Sequence, residues 1–515
     1  GLAPYWGEGK YFPLAFSRKS VEGNVKSRLM LEPLQDPSPA TNPASEPRFE
    51  LAQPELFAAA GGQCTAWGDF DNDRDLDLFV GFRRGELDRL YRNDGGTFTE
   101  IAAAVGVADA NDTRACGWGD FDGDGNLDLY LGFARTSSVP NKLYRNDGDG
   151  RHFTDVGRAM GVDVIGESRQ LSFLDYDNDG RIDLFVAFRD RPNALFHNEG
   201  GRFVDVAKDV GVADPRKTVG AVWFDMDEDG DLDLFVANQD GDTNAFYRND
   251  GKVFVDVAPG LGMDGAGRPA VYGSVGPSLV DFDNDGRLDL FVAGYGPSFL
   301  WHNEGGGRFV DVAVRMGVAG DHHLVASNWG DYDNDGRPDL YAGGYLTGII
   351  NYRDYLYHND GAKFSEVASG LLLKHDASHG VQWVDFDQDG ALDLSLADNG
   401  PRGAHFLFHN LLPPDVARRS LQILVVDDRD RYTKAGSEVR VYASGTRTLL
   451  GTRIVDTGSG YCSQNAMPVH VGLPTASQVD VEVTALTAAG RKVVRVTNVD
   501  PVAFARKYLV VRVGR

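Results

Sequence analysis

The sequence predicts an all-β protein: a seven-bladed β-propeller followed by a small β-sandwich domain. Three observations support this prediction. A nine-residue acidic motif recurs seven times along the 515 residues, at intervals of 50 to 56 residues. Short runs of β-branched and aromatic residues, separated by Gly, Asn and Asp turns, surround every copy, and four such runs per repeat of this length are typical of a propeller blade. The 63 glycines disfavour helical repeats of similar length.

The acidic motif has the form Asp-x-Asp-x-Asp-Gly-x-x-Asp. Its first, third, fifth and ninth residues are Asp in every copy, and its sixth is Gly except in the first copy, which has Arg74. Four carboxylates at alternating positions around a tight turn, together with the backbone carbonyl of the seventh residue, form the set of hard oxygen ligands that Ca²⁺ prefers. We therefore expect up to seven bound Ca²⁺ ions. The first loop should be the weakest, because arginine adopts a positive φ less easily than glycine.

The predicted metal ligands are the first, third, fifth, seventh and ninth residues of each motif. They are Asp69, Asp71, Asp73, Asp75 and Asp77; Asp120, Asp122, Asp124, Asn126 and Asp128; Asp175, Asp177, Asp179, Arg181 and Asp183; Asp225, Asp227, Asp229, Asp231 and Asp233; Asp281, Asp283, Asp285, Arg287 and Asp289; Asp331, Asp333, Asp335, Arg337 and Asp339; and Asp385, Asp387, Asp389, Ala391 and Asp393. The fixed register of 28 aspartates favours calcium loops over solvated acidic turns.

The runs that flank each motif define the order of strands in a blade. In the first unit, residues 65–70 precede the motif and residues 76–80 follow it, and two further runs cover residues 90–95 and 98–102. Each motif therefore joins the first strand of its blade to the second, and all seven calcium loops are expected on one face.

The ends of the repeat region predict how the ring closes. A Phe-x-Asp-Val-Ala run, such as residues 203–207, ends the first six units but is missing after His409-Asn410, and a similar run precedes the first unit. An unpaired strand on either side would be an exposed edge. We therefore expect residues 48–52 to complete blade seven.

These patterns divide the chain into three parts. Residues 1–46 contain Pro and Ser with few strand signals, and we expect an extended N-terminal arm that lies on the propeller. Residues 47–411 form the propeller. Residues 412–515 contain alternating apolar runs, at 421–426 and 479–483 among others, and are expected to form the β-sandwich.

The repeats resemble the FG-GAP/VCBS repeats of integrin α-subunit propellers over about residues 48–411. Residues 416–515 resemble the ASPIC/UnbV domain that follows such repeats in cartilage acidic proteins and their bacterial relatives. The residues that carry this second resemblance are Ala435-Gly436-Ser437-Glu438-Val439-Arg440-Val441, Gly458-Ser459-Gly460-Tyr461-Cys462-Ser463-Gln464 and His470-Val471-Gly472-Leu473. The chain departs from that pattern at Lys434, where a small or apolar residue is expected, and at residues 484–490, which replace a Trp-Pro-x-Gly turn. We expect these departures to affect any activity carried by loops, and not the strands of the domain.

Charge and composition bear on partners and location. The net charge is −25, and seven Ca²⁺ ions would add fourteen positive charges, leaving −11, so nucleic acid is not expected as a partner. No apolar run is long enough to span a membrane. Aspartate-built calcium loops suit the high calcium concentration outside cells or in a periplasm, and the start at Gly1 agrees with a secreted chain. Of the three Cys, Cys64 and Cys116 fall in adjacent blades and are expected as buried thiols.

Candidate ligand-binding residues lie on the face opposite the calcium loops, six positions before the first Asp or after the last Asp of a motif. They are Gln63, Arg83, Arg114, Arg169, Arg189, Tyr295, Tyr345 and His379. Arginine presents a planar fork of donors that suits carboxylate, sulfate or phosphate. The alternative is that these arginines pair with local carboxylates such as Asp88, Asp112 or Asp190 and only join neighbouring blades.

The histidines fall into two groups. Four occupy a position in the third strand where other blades have Arg, which favours a structural role: His197, His302, His358 and His409. Four others lie in loops on the arginine-bearing face, where they could bind Zn²⁺ or Cu²⁺ or act as a general base: His322, His323, His375 and His379.

Two classes of function therefore remain open. The favoured one is a secreted, calcium-stabilised binding protein that recognises a glycan, an anionic small molecule or a protein on this face. The alternative is an enzyme, such as a lyase, a cyclase or a metal-dependent oxidoreductase, with its active site at the propeller axis. In that case Arg114 and Arg169 would hold an anionic substrate, and His379 or His323 would transfer protons. The fold by itself does not distinguish the two classes.

Overall fold

The protein is described by a computed structural model. It covers residues 47–514 apart from residues 84, 135–137, 252, 321, 348–349, 374–377, 401–402, 466 and 476. The predicted N-terminal arm and His375 lie outside the described residues. Within those residues, no helix combines the length and the apolar character needed to cross a membrane.

The prediction of an all-β fold is confirmed, because seven blade sheets follow one another around the propeller, each built on four antiparallel strands. From the inner to the outer strand, blades one to four consist of Gly62–Gly68, Asp77–Phe82, Arg89–Asp94 and Thr97–Glu100; Thr113–Gly119, Asp128–Phe133, Lys142–Asn146 and Phe153–Asp155; Ser168–Leu174, Asp183–Phe188, Ala194–Asn198 and Phe203–Asp205; and Thr218–Phe224, Asp233–Asn238, Ala245–Asn249 and Phe254–Asp256.

Blades five to seven repeat this arrangement. Their strands are Gly273–Val280, Asp289–Tyr295, Phe299–Asn303 and Phe309–Asp311; Ala326–Gly330, Asp339–Gly343, Tyr355–Asn359 and Phe364–Glu366; and Ser378–Val384, Asp393–Asp398, His405–Asn410 and Phe49–Leu51. A two-stranded hairpin in blade six joins Leu346–Thr347 to Ile350–Asn351.

The blades meet around a ring. Each inner strand contacts the inner strand of the next blade, and the inner strand of blade seven contacts that of blade one. Phe49–Leu51, from the start of the described chain, pairs with His405–Asn410 and is the outermost strand of blade seven. Indole N–H groups link blades across the junctions: Trp118 Nε1 donates to the Ala66 carbonyl at 3.2 Å. Across the last junction Trp67 Nε1 donates to Ser395 Oγ at 3.1 Å, so the first blade is bound to the seventh.

In the part of the chain that the structure describes, the helices are single turns. The α-helical turns are Ala102–Val105, Gly157–Met160, Ala207–Val210, Ala258–Leu261, Ala313–Met316 and Pro414–Ala417, and the 3₁₀ turns are Gly370–Leu373 and Pro501–Phe504. Five of them follow the outer strand of a blade and end at a left-handed glycine, such as Gly106 with φ of 92°. The glycine stops the helix after one turn, because that conformation costs it little.

The C-terminal part contains two sheets that share one hydrophobic core. One sheet orders Val469–Gly472, Ser420–Val426 and Leu509–Arg512; the other orders Leu449–Ile454, Glu438–Ala443, Val479–Thr487 and Gly490–Val499. Ile423 of the first sheet and Val441 and Val483 of the second are fully buried in the shared core. Alternation of apolar and polar residues along both sheets explains this packing, because every second side chain faces the core.

One short segment of this part leaves the sandwich and enters the propeller. Ser463–Gln464 forms a fifth strand in the sheet of blade one, where it runs parallel to the inner strand. The N–H of Thr65 in that inner strand donates to the Cys462 carbonyl at 3.1 Å. The axis of the propeller is therefore partly filled by residues that lie some 400 positions further along the chain.

Candidate functional site

The acidic motifs form compact loops between the first and second strands of each blade. In the fifth loop, Asp281 accepts the backbone N–H of Asp285 with Oδ1 and that of Gly286 with Oδ2, both at 3.0 Å. Asp289 Oδ2 accepts the N–H of Phe282 at 3.3 Å, and its Oδ1 accepts the N–H of Asn303 at 2.7 Å. The spacing of the aspartates thus folds the loop and gathers their carboxylates on its inner side.

The sixth position of each loop adopts the left-handed conformation. Six copies place glycine there with φ between 89° and 103°, whereas the first copy places Arg74 there with φ of 77°. A side chain in this conformation costs about 1 kcal/mol or more relative to glycine. Arg74, which replaces the glycine of the other six motifs, is therefore a strained residue.

The loops collect carboxylates that could hold a cation. In several loops at least three ligating atoms lie within 4.8 Å of one another, as for Asp69, Asp71 and Asp73. Among the described residues, the buried loop oxygens that accept no hydrogen bond include Oδ1 of Asp71, Asp120, Asp225 and Asp333. Crowded, buried oxygens without donors suit a hard cation with oxygen ligands, so the residues present fit Ca²⁺.

Burial makes ionisation of the loop carboxylates unfavourable when no cation is bound. Burial raises the pKa of Asp69 to about 7, and the nearby charges of Asp73 and Asp71 add to the shift. Burial likewise raises the pKa of Asp128 to about 9 and that of Asp289 to about 7. Ionised loops are therefore unfavourable at neutral pH unless positive charge is supplied to them.

The third-strand histidines lie against these loops. His302 Nδ1 lies 3.0 Å from Asp289 Oδ1, and His358 Nδ1 lies 3.1 Å from Asp339 Oδ1. The bond to Asp339 raises the pKa of His358 to about 9. In blades one, two and four, the arginine at the same position instead pairs with an aspartate two residues further on, as Arg92 does with Asp94. These histidines therefore belong to the acidic loops and do not form a separate site.

A second cluster lies at the propeller axis and is centred on Tyr461, a residue of the C-terminal domain. Arg114 Nη2 donates to the Tyr461 hydroxyl at 2.6 Å, and Arg169 Nη1 donates to the same oxygen at 3.1 Å. The other donors of these guanidinium groups reach Gln63 Oε1 from Arg114 and Glu167 Oε1 from Arg169. The inner strands of blades one, two and three thus bring three of the predicted binding residues together around one phenol, which is 3% exposed.

The remaining predicted arginines have partners of their own. Arg189 pairs with Asp240 at 3.0 Å and approaches Glu167 at 4.0 Å. Arg83 Nη2 donates to the Asn399 carbonyl at 2.6 Å. Glu167 and Asp240 therefore pair with two of the predicted arginines, Arg169 and Arg189.

Asp88 and Asp190, two of the local carboxylates named as possible partners of the arginines, accept other hydrogen bonds. Asp88 accepts the N–H of Phe82 and the hydroxyl of Thr113, and Asp190 accepts the N–H of Glu167. Both therefore hold turns between strands.

Aromatic side chains continue the cluster on the side of blades five and six. The rings of Tyr295 and Tyr345 lie 5.2 Å apart, and His323 stacks on Tyr295 at 5.7 Å and on Tyr352 at 4.3 Å. Burial raises the pKa of Tyr295 well above its usual value, and the neighbouring Tyr345 and Tyr461 contribute to this shift. Tyr295 and Tyr345 therefore share the surroundings of Tyr461, while His323 is held in an aromatic stack.

His379, the other candidate for proton transfer, is 2% exposed. Its Nε2 lies 2.9 Å from Asn399 Nδ2, and its ring lies 5.4 Å from that of Tyr461. His322, another of the candidate metal-binding histidines, contacts the hydroxyl of Tyr355 through Nδ1 at 3.0 Å. The histidines are thus engaged with amide and aromatic groups.

Sequence reasoning missed the contribution of the C-terminal domain to this cluster. The motif Gly458-Ser459-Gly460-Tyr461-Cys462-Ser463-Gln464 was recognised, but its place in the propeller was not. The thiols of Cys64, Cys116 and Cys462 are free and buried, as was expected for the first two. Both departures from the ASPIC/UnbV pattern also lie against metal loops. Lys434 interacts electrostatically with Asp175, and Gly490 approaches Gly230 of the fourth loop.

Comparison with known proteins agrees with this architecture. Residues 49–131, 175–236 and 281–342 match a family model described as FG-GAP-like repeat, and residues 429–492 match one described as ASPIC and UnbV. Cartilage acidic protein 1 of Homo sapiens and that of Mus musculus are each 28% identical over 109 residues. That stretch covers 19% of this chain and 16% of each relative, so the chain matches only a small part of their length.

Two solved structures are similar at low identity. One describes specific recognition of non-reducing terminal N-acetylglucosamine by a lectin of Agrocybe aegerita; it is 19% identical, with a TM-score of 0.36, over 59% of this chain and 80% of the lectin chain. The other is BBS1N in complex with ARL6DN, soaked with mercury; it is 10% identical, with a TM-score of 0.44, over 72% of this chain and 98% of that chain. The family matches and the repeated sheets together identify the chain as one that carries FG-GAP-like repeats in a β-propeller, followed by an ASPIC/UnbV domain.

Proposed function

We propose that the protein is a calcium-stabilised binding protein, extracellular or periplasmic, whose axial cluster recognises an anionic group on a glycan, a small molecule or a protein. The observation that carries this proposal is the convergence of Arg114 and Arg169 on the Tyr461 hydroxyl. Two guanidinium groups from adjacent blades aimed at one point offer a site for a carboxylate, sulfate or phosphate.

The balance of donors and acceptors in the cluster supports an anionic ligand. In this cluster, the buried donors without a hydrogen-bond acceptor among the described residues include Nε2 of Gln63 and Nε of Arg114, Arg169 and Arg189. Buried donors are normally paired, because leaving one unpaired costs about 1 to 3 kcal/mol. An oxyanion, alone or with bridging water, would supply the missing acceptors.

The state of the histidines favours binding over catalysis. His379 is buried against Asn399 and His323 is stacked between aromatic rings. A general base must reach the proton that it abstracts. Neither imidazole is presented to a ligand at Tyr461 in the way that proton transfer requires, so the enzyme alternative receives no support from this geometry.

The role proposed for Ca²⁺ is structural. The aspartates of the seven motifs would hold it, and the bound ion would neutralise carboxylates that burial makes costly to ionise. Binding that is restricted to the folded state stabilises that state by mass action. The acidic composition then reflects the metal sites, and nucleic acid remains an unexpected partner.

The test is ligand binding by calorimetry in saturating Ca²⁺, with inorganic sulfate, glucuronate and a sulfated oligosaccharide as probes. At least one probe should bind the wild-type protein, and Arg114→Ala with Arg169→Ala should reduce its affinity at least tenfold. The matched control is Arg202→Ala, which removes an exposed guanidinium group of blade three that pairs with Glu199. Equal binding by the double variant and the control, or no binding of any probe, would refute the axial site.

A further inference from the structure

The C-terminal domain faces the acidic loops of the propeller. In three loops a C-terminal side chain donates a hydrogen bond to Oδ2 of the first aspartate: Arg491 to Asp225 at 3.1 Å, Gln422 to Asp385 at 2.6 Å and Tyr432 to Asp69 at 3.5 Å. In the second loop Arg431 Nη1 donates to the Gly123 carbonyl at 3.2 Å. Electrostatic interactions link Lys434 to Asp175 and Arg453 to both Asp281 and Asp331. The small domain therefore interacts with every acidic loop of the ring.

In the fourth loop, the contact from the C-terminal domain uses only one oxygen of the first aspartate. Asp225 Oδ2 accepts both the Gly230 N–H and Arg491 Nη1, whereas its Oδ1 is buried without a donor among the described residues. In the second loop, Asp120 Oδ2 accepts the Gly125 N–H, and its Oδ1 is likewise buried without a donor among those residues. A cation held by Oδ1 would therefore fix the carboxylate whose other oxygen meets the C-terminal domain.

The approach of the two parts is close enough to require ordered loops. A Cβ atom added to Gly472 would overlap the Asp331 carboxylate. His470 Nε2 lies 3.2 Å from the Gly390 carbonyl of the seventh loop, and Arg440 Nη2 donates to the Gly286 carbonyl of the fifth at 2.8 Å. Because the two parts are packed this closely, movement of a loop would break these contacts.

The strand that carries Arg453, which interacts with the fifth and sixth loops, leads directly to Tyr461. Arg453 lies in Leu449–Ile454, and the segment of residues 456–465 follows it. Within that segment Asp456 accepts the N–H groups of Gly458 and Asn465, which closes the segment into a compact finger. The chain therefore runs from a metal loop to the axial cluster within eight residues of Arg453.

We propose that metal occupancy of the seven loops controls the axial cluster through this domain. With metal bound, the first aspartates are held in place, the C-terminal domain docks on them, and residues 456–465 place Tyr461 between Arg114 and Arg169. Without metal, four mutually repelling carboxylates per loop rearrange, the docking contacts weaken, and the finger leaves the axis. The inference rests on the proposed binding role of the axial cluster. By linkage, an anion bound there raises the affinity for metal by the same factor.

Hydrogen exchange of the full chain, followed by mass spectrometry with Ca²⁺ and after chelation, tests the proposal. Elemental analysis establishes that the metal has been removed. Peptides within residues 456–465 should exchange at least tenfold faster after chelation, while those of Val479–Thr487, an inner strand of the sandwich, change little. Unchanged exchange of the finger in metal-free protein would overturn the coupling.

A double variant separates docking from the metal ligands, and it decides the question even where chelation unfolds the propeller. Arg491→Ala with Gln422→Ala removes two docking contacts but no loop residue. In saturating Ca²⁺ the finger should exchange at least threefold faster in this variant. The control is Arg495→Ala, since Arg495 lies on the same strand as Arg491 but pairs with Glu482. Equal exchange in variant and control would refute the coupling.

This exchange experiment requires no axial ligand. If the finger responds to metal but no anion binds, the axial site as proposed is wrong and the coupling stands. If an anion binds through Arg114 and Arg169 but the finger ignores metal, the coupling alone fails.

Discussion

Removal of the Tyr461 hydroxyl is the most direct perturbation of the axial cluster. Tyr461→Phe keeps the ring, which packs beside His379 and under Arg114, but deletes the acceptor that two guanidinium groups share. A hydrogen bond to a charged group contributes about 1.5 to 3 kcal/mol, so the loss of two should cost about 3 kcal/mol when partial relaxation is allowed for. The free energy of unfolding should fall by this amount.

The assay is urea denaturation in saturating Ca²⁺, with the shift in midpoint compared between variants. The matched control is Tyr442→Phe, because the Tyr442 hydroxyl also accepts from an arginine, Arg447, at 3.2 Å. Arg447 is 67% exposed, so water replaces the lost partner and this substitution should cost much less than Tyr461→Phe. Equal destabilisation by the two substitutions would show that the axial arginines are not held by Tyr461, and the argument for a composite site would fail.

Three further predictions concern the metal loops. Arg74→Gly should raise the free energy of unfolding by about 1 kcal/mol, because it relieves the left-handed arginine; a neutral or destabilising effect in denaturant titration would contradict this. In metal-free protein burial raises the pKa of Asp128 to about 9 and that of Asp289 to about 7, so with rising pH the unfolded chain releases these protons before the folded protein does. The melting temperature of the metal-free protein should therefore fall as the pH rises from about 4 to about 9, and it should depend less on pH when Ca²⁺ is bound. A metal-free melting temperature that rises over this range would refute the assignment. Chelation at pH 7 should lower the melting temperature and added Ca²⁺ should restore it; identical melting curves, with the metal shown to be gone, would exclude a stabilising role.

Local features of the chain predicted most of the propeller. Alternating aspartates around a turn glycine specify the loop wherever it occurs, since the hydrogen bonds of Asp281 to Asp285 and Gly286 span only five residues. The flanking strand runs and their turns are equally local, and their sevenfold recurrence sets the number of sheets. The arginine in place of glycine at position 74 could likewise be recognised as strained from its motif position.

The candidate site depended on contacts that local patterns do not encode. The positions of Gln63, Arg114 and Arg169 at the axis follow from the repeat. Tyr461, the shared partner of Arg114 and Arg169, lies about 350 residues from Arg114 and reaches it only because the C-terminal domain docks on the propeller. The sequence also did not predict that Arg169 pairs with Glu167 and Arg189 with Asp240.

The sequence by itself determined the repeat, the acidic loops and the two-part organisation, because turns, strand pairing and carboxylate spacing act over a few residues. Only the tertiary structure decided which charges meet, how the C-terminal domain faces the seven loops, and what fills the axis. Those outcomes depend on the docking of surfaces far apart in the chain, where shape and electrostatic complementarity act between segments that share no local pattern.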